Sequence, residues 1–463
     1  MASTKSASQQ KSSKITARDL ESLPRLHLHA AGIDVGSAEH YVAVPAGRDP
    51  QPVQKFGSFT ADLHRLARWL KACRIETVAM QATGVYWVGL HQILEDYGLQ
   101  VHVVNARHTK TLPGRKTDVQ ECQWLQQLHT FGLLNNSFRP AEQIRVLRSY
   151  MRQRENLVAA ASICIQHMQK ALTEMNVQLA NVISDLSGTT GMAILHALVK
   201  GERDPYALAD LRHSLIRASR EQIAQSLQGN WRQELIFILR QNLELYEIYQ
   251  GKVRECDLQI ETHLKTLPAQ VDPVQQPIPA PRRVSWSRKL KPSFQLRGEL
   301  YRIAGVDLTQ VDGLDVSTVQ TILSEVGTDM SAWKTEKHFG SWLGLSPDNR
   351  ISGGKVLKRG TRKVVNRAAT ALRLGAWNLI RSQSALGAKF RRLRSRLGAP
   401  KAITAMAYHL ARLVYRMLKF GHAYLDKGIQ HYEEKHRQQQ LRWLQKQAAA
   451  LNLQLTPLTL LPA

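Results

Sequence analysis

Two hydrophobic periodicities follow one another along the chain. In the first part, short apolar runs alternate with helical stretches near Asp62–Cys73 and Val88–Tyr97. The apolar runs fit strands at Ala31–Val35, Tyr41–Val44, Thr77–Met80 and Val101–Val104. Alternating strands and helices predict an α/β domain, a sheet flanked by helices, over residues 26–140.

From residue 141 onwards the apolar positions recur every three or four residues. One run extends from Ile144 to Leu179 and is interrupted by Arg154. A second run extends from Ile236 to Leu264, with Gln250 and Asp257 as its polar exceptions. Repeats sustained over several turns predict long helices that pair as a coiled coil over residues 141–267. The alternative is two amphipathic helices packed on a globular core.

The remaining segments differ in composition. Residues 1–25 are polar and predict a disordered tail, and residues 431–463 predict a polar helical tail. Residues 268–296 are rich in proline and basic residues, which predicts a semi-rigid linker that follows a phosphate backbone. Residues 297–430 predict a compact helical domain, and the stretch 350–420 within it contains no Asp or Glu.

The charge balance points to a polyanionic partner. The chain has 463 residues, with 63 Lys and Arg against 37 Asp and Glu, a formal net charge of +26. Such an excess favours nucleic acid over an anionic lipid surface, because no amphipathic basic anchor is present. The four cysteines form no CxxC pair and fit a reducing cytoplasm. No apolar run reaches the ~18 residues that span a bilayer, so no membrane association is expected.

Acidic residues suggest a metal site. Asp34 follows an apolar run and precedes small residues, a pattern used by RNase H-type polynucleotidyl transferases and by sugar-kinase-like ATPases; a strand that merely ends in Asp is the alternative. Asp118 and Glu121 are three apart and share one helical face, although acids at a helix start also interact with the helix dipole. With Asp34 they predict an Mg²⁺ site for phosphoryl transfer. Gln81 stands where a further acid is expected.

Ser352 is the candidate nucleophile. It precedes Gly353, Gly354 and Lys355 on a predicted flexible, basic loop, where small neighbours allow a phosphodiester to approach and a cation can stabilise phosphorane charge. A simple phosphate-binding turn is the alternative. Upstream, residues 311–327 predict a helix-hairpin-helix that contacts DNA backbone, with a plain αα-hairpin as the alternative.

Four motifs in this order resemble the DEDD transposases of the insertion-sequence "one-ten" family, particularly its "eleven-eleven" subgroup. They are GIDVGS, ATGVYW, VNARHTKTLPGRKTDV and FGSWLGLSPDNRISGGK. The resemblance covers about residues 28–430. It implies an RNase H-like (RuvC-like) N-terminal domain, a coiled-coil insertion and a helical C-terminal domain with a nucleophilic serine.

The resemblance also implies residue roles. Asp34 matches the first acid, Asp118 the third and Ser352 the serine; Gln81 replaces the second acid and Glu121 the fourth. The implied reaction cuts and rejoins DNA by Mg²⁺-assisted serine attack. The expected nucleic-acid contacts are Arg115, Lys116, Arg282, Arg283, Arg288, Lys289, Lys291, Arg350, Lys355, Lys358, Arg359, Arg362, Lys363 and Arg367.

The implied partners are a noncoding bridge RNA, donor DNA and target DNA. The implied assembly is a tetramer, a dimer of dimers whose active sites combine the acids of one subunit with the serine of another, in the bacterial cytoplasm at the nucleoid. Two other functions remain open. One is a Holliday-junction resolvase-like nuclease that uses water; the other is a catalytically impaired RNA- or DNA-binding protein, because Gln81 lacks charge.

Overall fold

A computed structural model describes residues 23–82, 84–105, 117–281, 292, 294–358, 360–362, 364–421 and 428–456. The chain divides into two compact units, residues 1–139 and 140–463. Of the predicted tail, residues 1–25, the first 22 lie outside the described residues. None of the described helices is both long and apolar enough to cross a membrane.

The first unit is built on a five-stranded sheet in the order β3-β2-β1-β4-β5. Its strands are β1 (Ala30–Val35), β2 (Glu39–Ala43), β3 (Val53–Gly57), β4 (Thr77–Gln81) and β5 (Gln100–Val104). β1, β2 and β3 pair antiparallel, whereas β1, β4 and β5 pair parallel. The predicted α/β domain is confirmed, and β3 is an additional strand.

Within the described part of this unit, three helices flank the sheet. They are α1 (Thr60–Ala72), α2 (Trp87–Asp96) and α3 (Asp118–Thr130). One face of the sheet buries Ile33, Val78 and Met80 against apolar residues of α1 and α2, including Leu66 and Leu90. The opposite face packs on α3. A mixed sheet of this strand order with helices on both faces is the RNase H-like architecture implied by the resemblance.

The second unit is organised around two long helices, α4 (Glu142–Glu174) and α8 (Gln233–Thr266), which pack along each other. Between them in sequence lie α5 (Thr189–Lys200), α6 (Pro205–Ala209) and α7 (Arg220–Ser226). These helices share one apolar core with the adjoining ends of α4 and α8. The predicted long, paired helices are confirmed.

The helices that follow the proline-rich segment form the rest of the unit. They are α9 (Leu296–Ala304), α10 (Val316–Val326), α11 (Glu336–Trp342), α12 (Arg367–Asn378), α13 (Ala385–Leu397), α14 (Ala399–Phe420) and α15 (Gly428–Ala450). α10 is anchored to α4, because Arg148 Nε donates to the Ser324 carbonyl (3.3 Å) and Arg152 Nη2 to Glu325 Oε1 (3.0 Å).

Two details differ from the sequence-based expectations. The compact helical domain also contains a β-hairpin, β6 (Arg350–Ser352) and β7 (Lys355–Lys358). The first part of the predicted linker is docked rather than free. Arg297 Nη2 donates to the Pro279 carbonyl (2.7 Å), and Gln310 Nε2 to the Ala280 carbonyl (3.0 Å). These bonds tie the chain up to residue 281 to α9 and the turn after it.

Candidate active site

Asp34 and Gln81 lie at the carboxyl end of neighbouring parallel strands. The register pairs Gly32 with Ala79 and Ile33 with Met80, so Asp34 and Gln81 occupy the next position along the two strands. Since side chains alternate along a strand, Asp34 shares a face with Gly32, and Gln81 shares that face with Ala79. Asp34 is half-buried, and Gln81 is 4% exposed.

Helix α3 covers this face at very close range. A Cβ added to Gly32 would lie 2.2 Å from the Gln126 nitrogen and 2.3 Å from the Cys122 carbonyl oxygen. Only glycine therefore lets the α3 backbone approach β1 so closely. Gln126 Nε2 also donates to the Ala30 carbonyl (3.4 Å).

The direction of α3 brings its first turn to the carboxyl end of β1. His129 is near the end of the helix, and its Nε2 lies 2.8 Å from Oγ1 of Thr77 at the start of β4. Cys122 lies beside Gly32, and Asp118 precedes it by about one helical turn, ~6 Å along the axis. The step from Gly32 to Asp34 along the strand is about 6.6 Å in the same direction. Asp118 therefore lies at the same end of the sheet as Asp34.

The start of α3 agrees with its sequence. Thr117 is the N-cap, and its hydroxyl accepts a hydrogen bond from the Gln120 nitrogen (3.3 Å). Asp118 and Glu121 are in the first turn, as predicted, where carboxylates are favoured by the helix dipole. Asp118 is exposed, and Glu121 is half-buried.

The pKa of the Cys122 thiol depends on its burial and on the charges around it. Burial first, and then the nearby carboxylates of Asp34 and Asp118, raise its pKa to about 12. Two acids that are far apart in sequence thus act on the same buried atom. Sequence reasoning missed Cys122, although its position one turn after Asp118 was the available signal. The neutral thiol donates to the Val119 carbonyl (3.1 Å).

The side chains at this end of the sheet suit a cation whose remaining ligands are water and substrate oxygens. Among the described residues, no group of three or more His, Cys, Asp or Glu side chains is arranged to hold a metal. Mg²⁺ is commonly bound through one or two carboxylates, with waters and substrate phosphates as its other ligands. Asp34 and Asp118 meet that minimum. The buried amide of Gln81 would add an oxygen without charge.

Ser352 lies at the tip of the β6–β7 hairpin, in a different unit from the acids. The sequence predicted a flexible loop here, but the serine ends a strand and pairs with Lys355 across the turn. Ser352 is exposed, as is Ile351 before it. Residues 311–327, the predicted helix-hairpin-helix, contain a turn at Val311–Leu314 and the single helix α10, and the DNA contact of this segment stays a prediction.

The predicted nucleic-acid contacts are only partly described. Lys355 is exposed, Arg362 donates to the Ser341 carbonyl and hydroxyl, and Arg367 pairs with Glu155. The backbones of Arg350 and Lys358 belong to the hairpin, but their side chains are outside the described residues. Also outside them are Arg115, Lys116, Arg282, Arg283, Arg288, Lys289, Lys291, Arg359 and Lys363.

The acid-free basic stretch receives counter-charges from other segments. Glu336 at the start of α11 accepts from Arg412 and Arg416 of α14, and Glu155 of α4 accepts from Arg367 of α12. These guanidinium groups hold the pKa of Glu336 below its usual range, against the effect of burial. Part of the positive charge over residues 350–420 is therefore compensated within the fold.

Two protein-family models match separate segments of the chain. A family model described as a transposase, for DEDD transposases of the IS110 type, matches residues 31–177. A second model, described as the transposase of the IS116/IS110/IS902 family, matches residues 307–391. The chain belongs to the IS110 family of transposases. No curated protein matches it.

The two matched segments of the transposase contain different parts of its candidate chemistry. Residues 31–177 include Asp34, Gln81, Asp118 and Glu121, whereas residues 307–391 include Ser352. The protein is thus a DNA transposase, an enzyme of DNA recombination. Transposases with a DEDD domain generally use a divalent metal.

Proposed function

We propose that the transposase cuts and rejoins DNA by attack of Ser352 on a phosphodiester, with guidance by a bridge RNA. Mg²⁺ would be held by Asp34 and Asp118 together with waters and substrate oxygens, with Glu121 as the predicted third acid beside them. The observation that carries the acidic half is the convergence of Asp34 and Asp118 at one end of the sheet, where both carboxylates raise the pKa of the Cys122 thiol. Gln81 is the neutral fourth member.

The serine supplies the chemical step. Its Oγ forms a bond to phosphorus while the bond from phosphorus to the 3′ oxygen breaks, and the hydroxyl proton passes to the departing 3′ oxygen. The products are a phosphoserine link and a free 3′ hydroxyl, and the reverse reaction joins a new 3′ hydroxyl. A bound divalent cation lowers the pKa of a nucleophile and stabilises charge on the leaving oxygen. The exposed position of Ser352 supports access of duplex DNA.

RNA guidance and assembly belong to the same proposal. Pairing of a bridge RNA with donor and target DNA assigns sequence recognition to nucleotides, so the protein needs mainly phosphate contacts. The net charge of +26 supports this division of labour. The proposed assembly is a tetramer acting at the nucleoid in the bacterial cytoplasm.

A second candidate is favoured by one observation. Gln81 is buried at the position of the expected second acid, so the site has one charge fewer than a DEDD quartet. A protein limited to RNA and DNA binding would show no strand cutting at any Mg²⁺ concentration. Restoring the acid with Gln81→Glu would leave such a protein inactive.

Purification with its native RNA tests the proposal. We expect sequencing of the copurified RNA to reveal loops complementary to the ends of the element and to its target. With that RNA, a matched labelled DNA and Mg²⁺, the wild type should exchange strands, and Asp34→Asn should lose at least a hundredfold in rate. Glu39→Gln, an exposed acid on β2, is the matched control. Strand cutting that needs no RNA and survives Ser352→Ala would indicate a resolvase-like nuclease instead.

A further inference from the structure

The hairpin that contains Ser352 has a fixed register. Its strands pair Ile351 with Val356 and Ser352 with Lys355, and a bulge follows between Arg350 and Ile351. Directly opposed residues on one face of an antiparallel pair have Cβ atoms about 4.5–5.5 Å apart. Lys355 is therefore the cross-strand neighbour of the serine and shares its face of the hairpin.

The turn explains why two glycines separate these residues. Gly353 has φ of 54° and Gly354 has φ of 74°, both in the left-handed region. Positive φ at both central residues defines the type I′ turn, whose twist matches that of the flanking strands. A two-residue turn leaves no slack between Ser352 and Lys355. The glycines thus set the register that makes Lys355 the cross-strand neighbour of Ser352.

Both side chains are available to a substrate. Ser352 and Lys355 are exposed, and the residues on the other face include Ile351, which is 63% exposed. A phosphodiester that reaches Ser352 therefore also meets Lys355. The long, flexible lysine stem lets its ammonium contact an oxygen on the phosphorus under attack.

We infer that Lys355 is a catalytic residue of the transposase, whose ammonium group binds a non-bridging oxygen of the phosphate that Ser352 attacks. This inference rests on the proposed serine mechanism and adds a residue to it. The ammonium keeps its proton throughout, while the proton of Ser352 passes to the 3′ oxygen, so the step balances without another reactant. Its effect is greatest in the phosphorane, where negative charge on the non-bridging oxygens is at its maximum.

A simple anchoring role makes a different prediction. If the lysine only holds the DNA backbone, its removal weakens DNA binding and reduces the salt dependence of binding. The rate at which the bound complex reacts then changes little. A catalytic lysine lowers the single-turnover rate at saturating DNA. Removal of one donor that stabilises such a transition state costs about 10²–10³ in rate.

The test measures formation of the covalent protein–DNA adduct in single-turnover experiments with full-length protein, its copurified RNA and matched labelled DNA. Lys355→Gln should lower the rate at least a hundredfold on ordinary DNA, and Lys355→Arg should recover part of it. With a methylphosphonate at the scissile position the non-bridging charge is absent. The deficit of Lys355→Gln should then shrink to a few fold.

Controls separate this inference from the proposed function. Lys337→Gln removes another exposed lysine of the same unit and should react like the wild type. Equal losses for Lys355→Gln on charged and neutral phosphates, or no loss on either, would overturn the assignment of Lys355. Persistence of the adduct in Ser352→Ala would instead remove the serine mechanism itself.

Discussion

At the scale of single residues, Gln81 gives the proposed acidic site one negative charge fewer, because its amide stands where an acid is expected. Its amide is buried at the carboxyl end of β4, on the same face as Asp34. The apolar run predicts the strand as far as Met80, and the structure extends it by Gln81; the place of Gln81 in a metal site stays a prediction. Sequence could not predict that Cys122 lies beside Gly32, since this depends on how closely α3 approaches β1.

Substitution of Gln81 by Glu tests this charge deficit. Without Mg²⁺ we expect the free energy of unfolding to fall by about 1–3 kcal/mol, because a buried carboxylate would lack a partner beside Asp34. With Mg²⁺ the additional ligand should lower the half-saturating concentration by about tenfold or more. Thermal unfolding across an Mg²⁺ titration measures both effects.

The exposed Gln127 of α3 provides the matched control, since Gln127→Glu adds the same charge outside the site. If Mg²⁺ raises the melting temperature of Gln81→Glu no more than that of the wild type, position 81 is not near a cation.

A histidine cluster predicts how the first unit responds to pH. The His129 ring stacks on His27 (4.9 Å between centroids) and lies 4.8 Å from His102. Burial, and then the neighbouring histidines, lower the pKa of His129 to about 3. The unfolded chain, where the pKa is about 6.5, binds the extra proton over this range. Stability is therefore fully present above pH 6.5 and is lost as the pH falls towards 3.

Thermal unfolding of wild type and His129→Gln at pH 7.5 and pH 5.5 tests this sign. One such group costs at most about 1.4 kcal/mol per pH unit, so the acid-induced drop in melting temperature should be smaller in the variant. His338→Gln, an exposed histidine, should keep the wild-type drop. An unchanged drop in His129→Gln would show that His129 is protonated in the folded state.

At the scale of elements, two of the three polar exceptions to the heptads explain each other. Arg154 interrupts the pattern of α4 and Asp257 that of α8, and the two form a buried ion pair, with Arg154 Nε 2.5 Å from Asp257 Oδ1. The heptads predicted both helices. They could not predict this contact, because partners 103 residues apart meet only once the register of the pair is set.

Breaking this pair should be costly. Asp257→Asn leaves the Arg154 guanidinium buried without its counter-charge, and we expect the free energy of unfolding to fall by about 3–5 kcal/mol. The double variant Arg154→Met with Asp257→Leu should recover most of that loss, since apolar replacement removes both buried charges. Urea unfolding followed by the helical circular dichroism signal measures this.

The exposed pair Lys252 and Glu255 on α8 serves as the control, and Glu255→Gln should change stability little. Equal effects of Asp257→Asn and Glu255→Gln would mean that the buried pair does not stabilise the helices.

Short elements were the hardest to predict. β3 was missed because only Phe56 of its five residues is buried, so no alternation marks this edge strand. The β6–β7 hairpin was taken for a loop, since β6 has three residues and the glycines suggested flexibility. In both cases the neighbouring strand, rather than the local pattern, defines the structure.

At the scale of the whole molecule, the order of the motifs carried more information than any single motif. Asp34, Asp118 and Ser352 are weak signals separately, but their order along 463 residues predicted the family that the two matched models show. The net charge predicted a nucleic-acid partner. It could not reveal that Glu336 and Glu155 neutralise part of the basic stretch, because these acids come from distant segments.

The central claim is that Ser352 becomes covalently linked to DNA. Full-length transposase incubated with its RNA, matched DNA and Mg²⁺ can be digested with protease and nuclease and examined by mass spectrometry for a nucleotide-modified peptide. The account predicts a phosphodiester-linked nucleotide on Ser352, absent from Ser352→Ala and strongly reduced in Asp34→Asn. DNA cleavage at the wild-type rate without any such adduct, or an adduct mapped to a different residue, would contradict it.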